Sequence, residues 1–163
     1  LFGKGAIENL RDQIPADARV LVTYGGGSVK KTGVLDQVLS ALNGIDVREF
    51  GGIEPNPSYE TLMNAVKIAR NEKITFLLAV GGGSVLDGTK FIAAAAHYDA
   101  SIDPWEILET YGSKVASAIP MGSVLTLPAT GSESNKGAVI SRKTTGDKRA
   151  FMSTHVQDRK SVV

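Results

Sequence analysis

Residues 74–80, Ile-Thr-Phe-Leu-Leu-Ala-Val, and the Gly-Gly-Gly-Ser turn at 81–84 that follows them decide the fold class. The run is apolar except for Thr75, which is the composition of a strand covered on both faces of a parallel sheet. After the glycines, a stretch with the length of a helix continues through Ala93–Ala96. This stretch therefore predicts a central strand, a tight turn and a helix, in that order.

The same order of elements occurs once more, nearer the N-terminus. Arg19–Tyr24 is predicted to be a strand, and Gly-Gly-Gly-Ser at 25–28 repeats the glycine turn directly after it. The helix that follows has apolar residues spaced by three and four, and Gly44 is predicted to end it. Its apolar positions are Val34, Leu35, Val38, Leu39 and Leu42. Both predicted glycine turns therefore lie at the carboxyl ends of strands.

The remaining patterns complete an alternation of short strands and helices. We predict strands at 46–50 and 123–127, a helix capped by Ser58, a helical turn at 104–108, and a hairpin turn at 143–148. The apolar residues of the capped helix are Leu62, Met63, Val66 and Ile68. Such alternation is typical of an α/β fold in which helices flank a parallel sheet. A length of 163 residues is that of a single domain.

The composition excludes some classes of protein. The chain carries 18 basic and 17 acidic residues, so its net charge of +1 provides no strong field for nucleic acid or an anionic membrane. No apolar run approaches the roughly 20 residues that a transmembrane helix needs. The absence of cysteine excludes disulfides and thiolate metal sites. We therefore expect a cytoplasmic protein whose ligands bind at local sites.

Two glycine turns at strand ends indicate a binding site for a ligand that carries phosphates. Glycine lets the backbone approach an anion closely, and the free amides at the start of the following helix favour negative charge. Neither turn contains the Gly-Lys-Ser/Thr of a Walker loop or a clean Gly-x-Gly-x-x-Gly pattern. One triple glycine alone is more often only a tight turn. Two of them at the carboxyl edge of a parallel sheet fit a dinucleotide, whose phosphates lie at separate places.

Two longer motifs are similar to those of a known family. Gly-Gly-Gly-Ser-Val-Leu-Asp-Gly-Thr-Lys at 81–90 and Thr-Leu-Pro-Ala-Thr-Gly-Ser-Glu at 126–133 resemble the paired signatures of the iron-containing alcohol dehydrogenases. The segments 24–33, 54–57 and 103–105 are most similar to the branch of NADPH-dependent butanol dehydrogenases and broad-range aldehyde reductases. The resemblance extends over essentially the whole chain.

This resemblance implies an architecture and a chemistry. Residues 1–163 would form the Rossmann-like, N-terminal dinucleotide-binding domain of a dehydroquinate-synthase-like two-domain fold, and a helical C-terminal domain beyond Val163 would bind Fe²⁺ or Zn²⁺. The complete protein would interconvert aldehydes and primary alcohols by hydride transfer with NADP(H). It would form a homodimer through an N-terminal edge strand that includes Leu1 and Phe2. Because the chain begins without methionine and ends on an apolar run at 161–163, we expect a piece of a longer protein.

No catalytic residue and no metal ligand is expected within the chain itself. In the family that it resembles, one aspartate and three histidines of the C-terminal domain bind the metal. His97 follows an alanine-rich helix and His155 lies in a polar segment, and neither belongs to an Asp-x-x-x-His or His-Glu-x-x-His pattern. We therefore expect both histidines to take no part in metal binding.

The resemblance assigns the cofactor to the two glycine turns and to the segments after them. From the adenosine ribose to the nicotinamide, the assigned residues are Gly25, Gly26 and Ser28, then Gly82, Gly83 and Ser84 at the pyrophosphate, Thr126 and Thr130 in the cleft, Asn135 and Lys148 near the nicotinamide ribose, and Asp87 at the nicotinamide end. Local sequence alone permits plainer roles, such as a first-turn helical acid for Asp87 and a solvated hairpin lysine for Lys148. Gly26, where relatives that use NAD tend to carry aspartate, favours NADP(H).

Other functions stay open from the sequence. Glycerol dehydrogenases and dehydroquinate-synthase-like cyclases share the two-domain architecture, although the run at 128–133 and the loop at 54–57 favour the alcohol dehydrogenase branch. A non-catalytic nucleotide-binding module is the alternative from a different class of protein. One departure is the segment 157–160, Gln-Asp-Arg-Lys, which is more charged than the family often is before its next strand.

Overall fold

A computed structural model describes residues 5–127, 131–158 and 161–162 of the protein, the last two by their backbone. The strands are β1 (Arg19–Tyr24), β2 (Asp46–Phe50), β3 (Phe76–Gly81), β4 (Met121–Leu125), β5 (Gly137–Ser141), β6 (Lys148–Met152) and β7 (Ser161–Val162). The α-helices are α1 (Ser28–Lys31), α2 (Val34–Ala41), α3 (Tyr59–Asn71), α4 (Gly83–His97) and α5 (Glu106–Glu109), with 3-10 helices at Ala6–Gln13 and Thr154–Val156.

Five parallel strands form the main sheet in the order β2-β1-β3-β4-β7, and β5 and β6 form a separate antiparallel hairpin. β1 and β3 are neighbours, with Val20 opposite Phe76 and Tyr24 opposite Val80. Both strands therefore end at the same edge of the sheet, and the glycines that follow them lie side by side.

The sheet separates two apolar cores, because successive strand residues point to opposite faces. Leu77 and Ala79 belong to the core shared with α3 and α4. Leu78 and Val80 belong to the core shared with α2 and the first 3-10 helix. Burial on both faces explains why the sequence of β3 is continuously apolar.

Helix α4 is the central helix of the fold, and every residue from Gly88 to Ala95 is buried. Gly88 permits the close packing of α4 on α3, since a Cβ at this position would lie 2.8 Å from Leu62 Cδ2. On the side facing the sheet, the hydroxyls of Thr89 and Thr23 lie 2.7 Å apart, and both are fully buried. This hydrogen-bonded pair ties α4 to β1, beside the edge at which the glycine turns meet.

The hairpin of β5 and β6 packs its inner face against the helices. Phe151 contacts Phe91 of α4 edge-on, with 6.5 Å between the ring centroids. The guanidinium of Arg142 lies 5.0 Å from the ring centroid of Tyr59 and 5.1 Å from that of Trp105. Aromatic and cation–π contacts therefore hold the hairpin to α3, α4 and the segment that begins α5.

The structure confirms the α/β fold class and most of the predicted elements. The first two strands have the predicted bounds, the strand predicted at 123–127 begins at Met121 and ends at Leu125, and Ser58 caps α3 by accepting the Thr61 N–H. The helix after the first glycine turn is split into α1 and α2, because Gly33 between them is left-handed with a φ of 79°. The 3-10 helix at Ala6–Gln13 was not predicted. Within the described ranges, no helix has both the length and the apolar character needed to cross a membrane.

Candidate functional site

The two glycine turns meet on either side of the Val85 side chain. A Cβ at Gly81 would lie 2.8 Å from Val85 Cγ2, and a Cβ at Gly25 would lie 3.7 Å from the same atom and 3.2 Å from the Ile53 carbonyl oxygen. Gly81 also has a φ of 154°, which side chains rarely adopt. Gly81 therefore requires glycine and Gly25 leaves little room for a side chain, so that the start of α4 can pack against the ends of β1 and β3.

The second glycine of each turn, Gly26 and Gly82, faces open space. No atom lies within 4 Å of a Cβ built on either residue. Gly82 is the N-cap of α4 and offers no side-chain acceptor to the amides of Gly83 and Ser84. The amino end of a 15-residue helix with free amides favours an anion. The turn at 81–84 therefore has room and hydrogen-bond donors for a phosphate.

The chain leaving β4 runs beside this second turn. Leu125 lies opposite Gly81 in the sheet, and the Thr126 N–H donates to the Gly81 carbonyl at 3.1 Å. Thr126 is exposed there. Thr130, the other threonine assigned to the cleft, lies outside the described residues. The structure thus places Thr126 at the glycine turn, and its contact with a cofactor stays a prediction.

Asp87 lies one turn into α4 and holds the neighbouring chain. Its carboxylate accepts the Val139 N–H at 3.1 Å and a hydrogen bond from the Ser132 side chain. Burial raises the pKa of the Asp87 carboxyl, and the Val139 amide, the Lys90 ammonium and Ser132 oppose that rise. Asp87 therefore has structural partners beyond the helix dipole, and the plain role as a first-turn acid does not account for them.

Lys90 is a buried charged residue beside the candidate site that the sequence analysis did not single out. The residue is fully buried, and its ammonium donates to the carbonyls of Ser132, Asn135 and Gly137 at 2.5, 3.0 and 2.9 Å and to Asn135 Oδ1 at 2.8 Å. Burial lowers the pKa of Lys90, and the negative charges of Asp87, Asp158 and Glu133 oppose that change. A lysine inside an otherwise apolar helical stretch was the signal in the sequence.

Asn135 and Lys148, both assigned to the nicotinamide ribose, lie in different surroundings. The Asn135 Oδ1 accepts hydrogen bonds from the Lys90 ammonium and from the Gly137 N–H, at 2.8 and 3.0 Å. Lys148 lies on the exposed hairpin strand and donates to Asn56 Oδ1 at 2.9 Å. The structure therefore brings Asn135 to α4 and places Lys148 at the loop before α3.

The turn at 25–28 lies among polar and cationic groups. Gly26 and Ser28 are exposed, and Lys30 Nζ lies 5.4 Å above the ring of Tyr24. The Tyr24 hydroxyl donates to Glu49 Oε1 at 3.3 Å. An anionic group at this turn would find the Ser28 hydroxyl and an adjacent ammonium.

The two histidines are surface residues. The ring atom His97 Nδ1 lies 3.2 Å from the Ser117 hydroxyl, and the backbone N–H of His155 donates to Ser153 Oγ. In the part of the chain that the structure describes, no three His, Cys, Asp or Glu side chains are grouped so that they could hold a metal ion. That the metal ligands lie outside residues 1–163 stays a prediction.

The candidate site consists of two glycine turns at the carboxyl edge of a parallel sheet. Comparison of the whole sequence with known proteins identifies the family of the chain. The profile of the iron-containing alcohol dehydrogenases matches residues 1–163. The chain belongs to this family. The NADPH-dependent aldehyde reductase YqhD of Escherichia coli K12 is 80% identical over 157 residues, which are 96% of this chain and 41% of that protein.

Solved structures agree with this assignment. A crystal structure of Escherichia coli K-12 YqhD superposes with a TM-score of 0.99 at 78% identity, covering 100% of this chain and 42% of that one. The NADH-dependent butanol dehydrogenase A of Thermotoga maritima superposes with a TM-score of 0.93 at 38% identity, covering 99% and 41%. The resemblance noted from the motifs is confirmed. The chain spans about two fifths of the length of these relatives.

Proposed function

We propose that the complete gene product is an NADP(H)-dependent oxidoreductase that interconverts aldehydes and primary alcohols, and that this chain supplies its cofactor-binding part. The observation that carries the proposal is the meeting of two glycine turns at Val85, each with an open glycine beside the packed one. Membership of the iron-containing alcohol dehydrogenase family and 80% identity to an NADPH-dependent aldehyde reductase support it.

The residues present fit a dinucleotide. The amides of Gly83 and Ser84 at the start of α4 would hold the pyrophosphate, with Gly82 leaving room for its oxygens. The turn at 25–28 would hold the adenosine ribose, and Asp87, with Asn135, would face the nicotinamide half. NADP(H), when bound, supplies the hydride; the chain positions the cofactor and shields one side of it from water.

The metal, the cell compartment and the assembly belong to the same proposal. Fe²⁺ or Zn²⁺ would be bound by residues outside this chain and would act as a Lewis acid on the substrate oxygen. The proposed enzyme is a cytoplasmic homodimer that acts on small aldehydes and alcohols and binds neither nucleic acid nor membranes. Leu1 and Phe2, which would contribute to the dimer, lie outside the described residues.

Activity of the complete gene product tests the proposal most directly. We expect NADPH oxidation with butanal that is lost after chelation and restored by Fe²⁺ or Zn²⁺, and no turnover by the chain of residues 1–163 alone. The measurement is the decrease of NADPH absorbance with time. Metal-dependent turnover by the isolated chain would contradict the location of the metal ligands outside it. A complete product that binds NADPH but reduces no aldehyde would favour a binding module instead.

Exchange of Gly26 for aspartate tests how the chain selects NADP(H). Because Gly26 is exposed and a Cβ there meets no atom within 4 Å, Gly26→Asp adds a carboxylate without disturbing the packing. The new charge would repel a 2′-phosphate and would accept hydrogen bonds from the ribose hydroxyls of NADH. We expect a rise of about 100-fold in the Kd for NADPH, equivalent to about 3 kcal/mol, and a much smaller change for NADH.

Fluorescence titration of both cofactors into the complete product measures the effect. Gly26→Asn is the matched control, since it has the size of aspartate but lacks the charge, and we expect it to weaken NADPH binding only slightly. Equal affinities for NADPH and NADH in the wild type would mean that this turn does not select the cofactor. An NADPH preference that survives in Gly26→Asp would mean the same.

A further inference from the structure

Lys90 carries a buried positive charge, and none of the cofactor contacts proposed above involves it. Among the residues that the structure describes, Lys90 is the only charged residue that is fully buried. It lies in the middle of α4. An ammonium is removed from water at a high free-energy cost unless oxygen atoms replace its hydration. A methionine or leucine would fill the same space without that cost. The charge therefore calls for an explanation beyond packing.

All four acceptors of the Lys90 ammonium lie in one short segment of chain. They are the carbonyl oxygens of Ser132, Asn135 and Gly137 and the side-chain oxygen of Asn135, at 2.5 to 3.0 Å. Three N–H groups thus meet four oxygens from residues 132–137, which lack regular secondary structure over most of their length. The ammonium replaces the backbone hydrogen bonds that a helix or a strand would provide for this segment.

Asp87 holds the same segment at a second point. It lies three residues before Lys90 on α4, and its carboxylate accepts the Val139 N–H at 3.1 Å and a hydrogen bond from the Ser132 side chain. One face of α4 therefore binds residues 132–139 through two groups of opposite kind. The Lys90 ammonium only donates hydrogen bonds, and the Asp87 carboxylate only accepts them. Such a pair fixes both the position and the direction of the segment.

We propose that Lys90 is a positioning residue of the cofactor site, which acts by fixing residues 132–137 so that the Asn135 side chain and the Asp87 carboxylate face the nicotinamide half of the bound dinucleotide. The inference rests on the proposed function. Lys90 itself touches no cofactor, since its ammonium is enclosed by the segment that it holds. Without it, the Asn135 amide keeps only its hydrogen bond from the Gly137 N–H, and the carbonyls of Ser132 and Gly137 lose the ammonium as a donor.

Lys90→Met in the complete gene product removes the donors and keeps an unbranched side chain that is one atom shorter. We expect the Kd for NADPH, measured by fluorescence titration, to rise about 10- to 100-fold, because small displacements of positioning groups have effects of that order. In the cofactor-free protein, we expect the amides of Gly137 and Val139 to exchange faster with deuterium. At saturating NADPH, the KM for the aldehyde should change about twofold or less.

The matched control is Lys67→Met, which removes an exposed lysine from α3 and should leave both the Kd and the exchange unchanged. Lys90→Gln retains two N–H donors and should give a Kd between those of the wild type and Lys90→Met. If Lys90→Met does not fold, Lys90→Gln decides the question by the same titration.

Lower thermal stability with an unchanged Kd for NADPH in both Lys90 variants would overturn the proposal, because a purely structural lysine gives that result. Unchanged exchange at Gly137 and Val139 would overturn it as well. Failure of the proposed function gives a different result: a wild type that reduces no aldehyde. The comparison of NADPH affinities between wild type and Lys90 variants does not depend on turnover.

Discussion

Phe151→Ala is expected to lower the free energy of unfolding by about 3–5 kcal/mol, because it leaves a cavity at the centre of the contact between the hairpin and α4. Phe151 is 1% exposed, and its ring lies edge-on to Phe91, which in turn lies 5.9 Å from the ring of Tyr59. The loss thus includes aromatic contacts as well as buried apolar area. Urea unfolding of the complete gene product, followed by circular dichroism, measures the change.

Met152 provides the matched control for this substitution. It follows Phe151 on the same strand but points to the opposite face, where it is 57% exposed. Met152→Ala should change the free energy of unfolding by about 0.5 kcal/mol or less, as surface substitutions usually do. Similar losses in both variants would mean that the hairpin is not held by its inner face.

Gly112→Ala is expected to destabilise the protein by about 3 kcal/mol or more. Gly112 has a φ of 83°, and a Cβ there would overlap the Met152 carbonyl oxygen. The left-handed conformation alone costs alanine about 1 kcal/mol, and the overlap forces the strand away from the segment after α5. Since the obstacle is backbone, no side-chain rotation can relieve it. The midpoint of thermal unfolding of the complete product measures the loss.

Gly137→Ala is the control for this prediction, since Gly137 lies opposite Met152 in the hairpin. A Cβ at Gly137 would lie 3.7 Å from Met152 Cγ, which is ordinary van der Waals contact, and the residue lies in a strand. We expect its stability to stay within about 0.5 kcal/mol of the wild type. A Gly112→Ala variant that is as stable as Gly137→Ala would show that the hairpin can shift freely.

Local patterns in the sequence predicted the elements of the fold well, because the signals of strands, caps and turns act over a few residues. Arg19–Tyr24 and Asp46–Phe50 have the predicted bounds, and Ser58 caps its helix. The split between α1 and α2 was not predicted, although Gly33 was its signal. The predicted glycine turns do lie at the carboxyl edge of the sheet, but their meeting at one valine depends on strand order, which local periodicity does not contain.

The arrangement around Lys90 was beyond prediction for a physical reason. Its acceptors lie 42 to 47 residues further along the chain and are mostly backbone carbonyls, which every residue type possesses. The residue types at 132 and 137 therefore do not indicate the contact with Lys90. Arg142 is a similar case, since its partners Tyr59 and Trp105 come from two other elements. The sequence showed only that a charge occurs in an apolar helical stretch.

The position of β1 between β2 and β3 also affects the order in which the protein can fold during its synthesis. Val20 pairs with Val47 on one side and with Phe76 on the other, so β1 gains its first neighbour when β2 emerges from the ribosome and its second only after α3 has been made. Until then, one hydrogen-bonding edge of β1, a strand that is almost entirely buried in the folded protein, is open to other chains. Parallel pairing over such separations is slow. We therefore expect the nascent chain to depend on chaperones until Gly81 has left the exit tunnel.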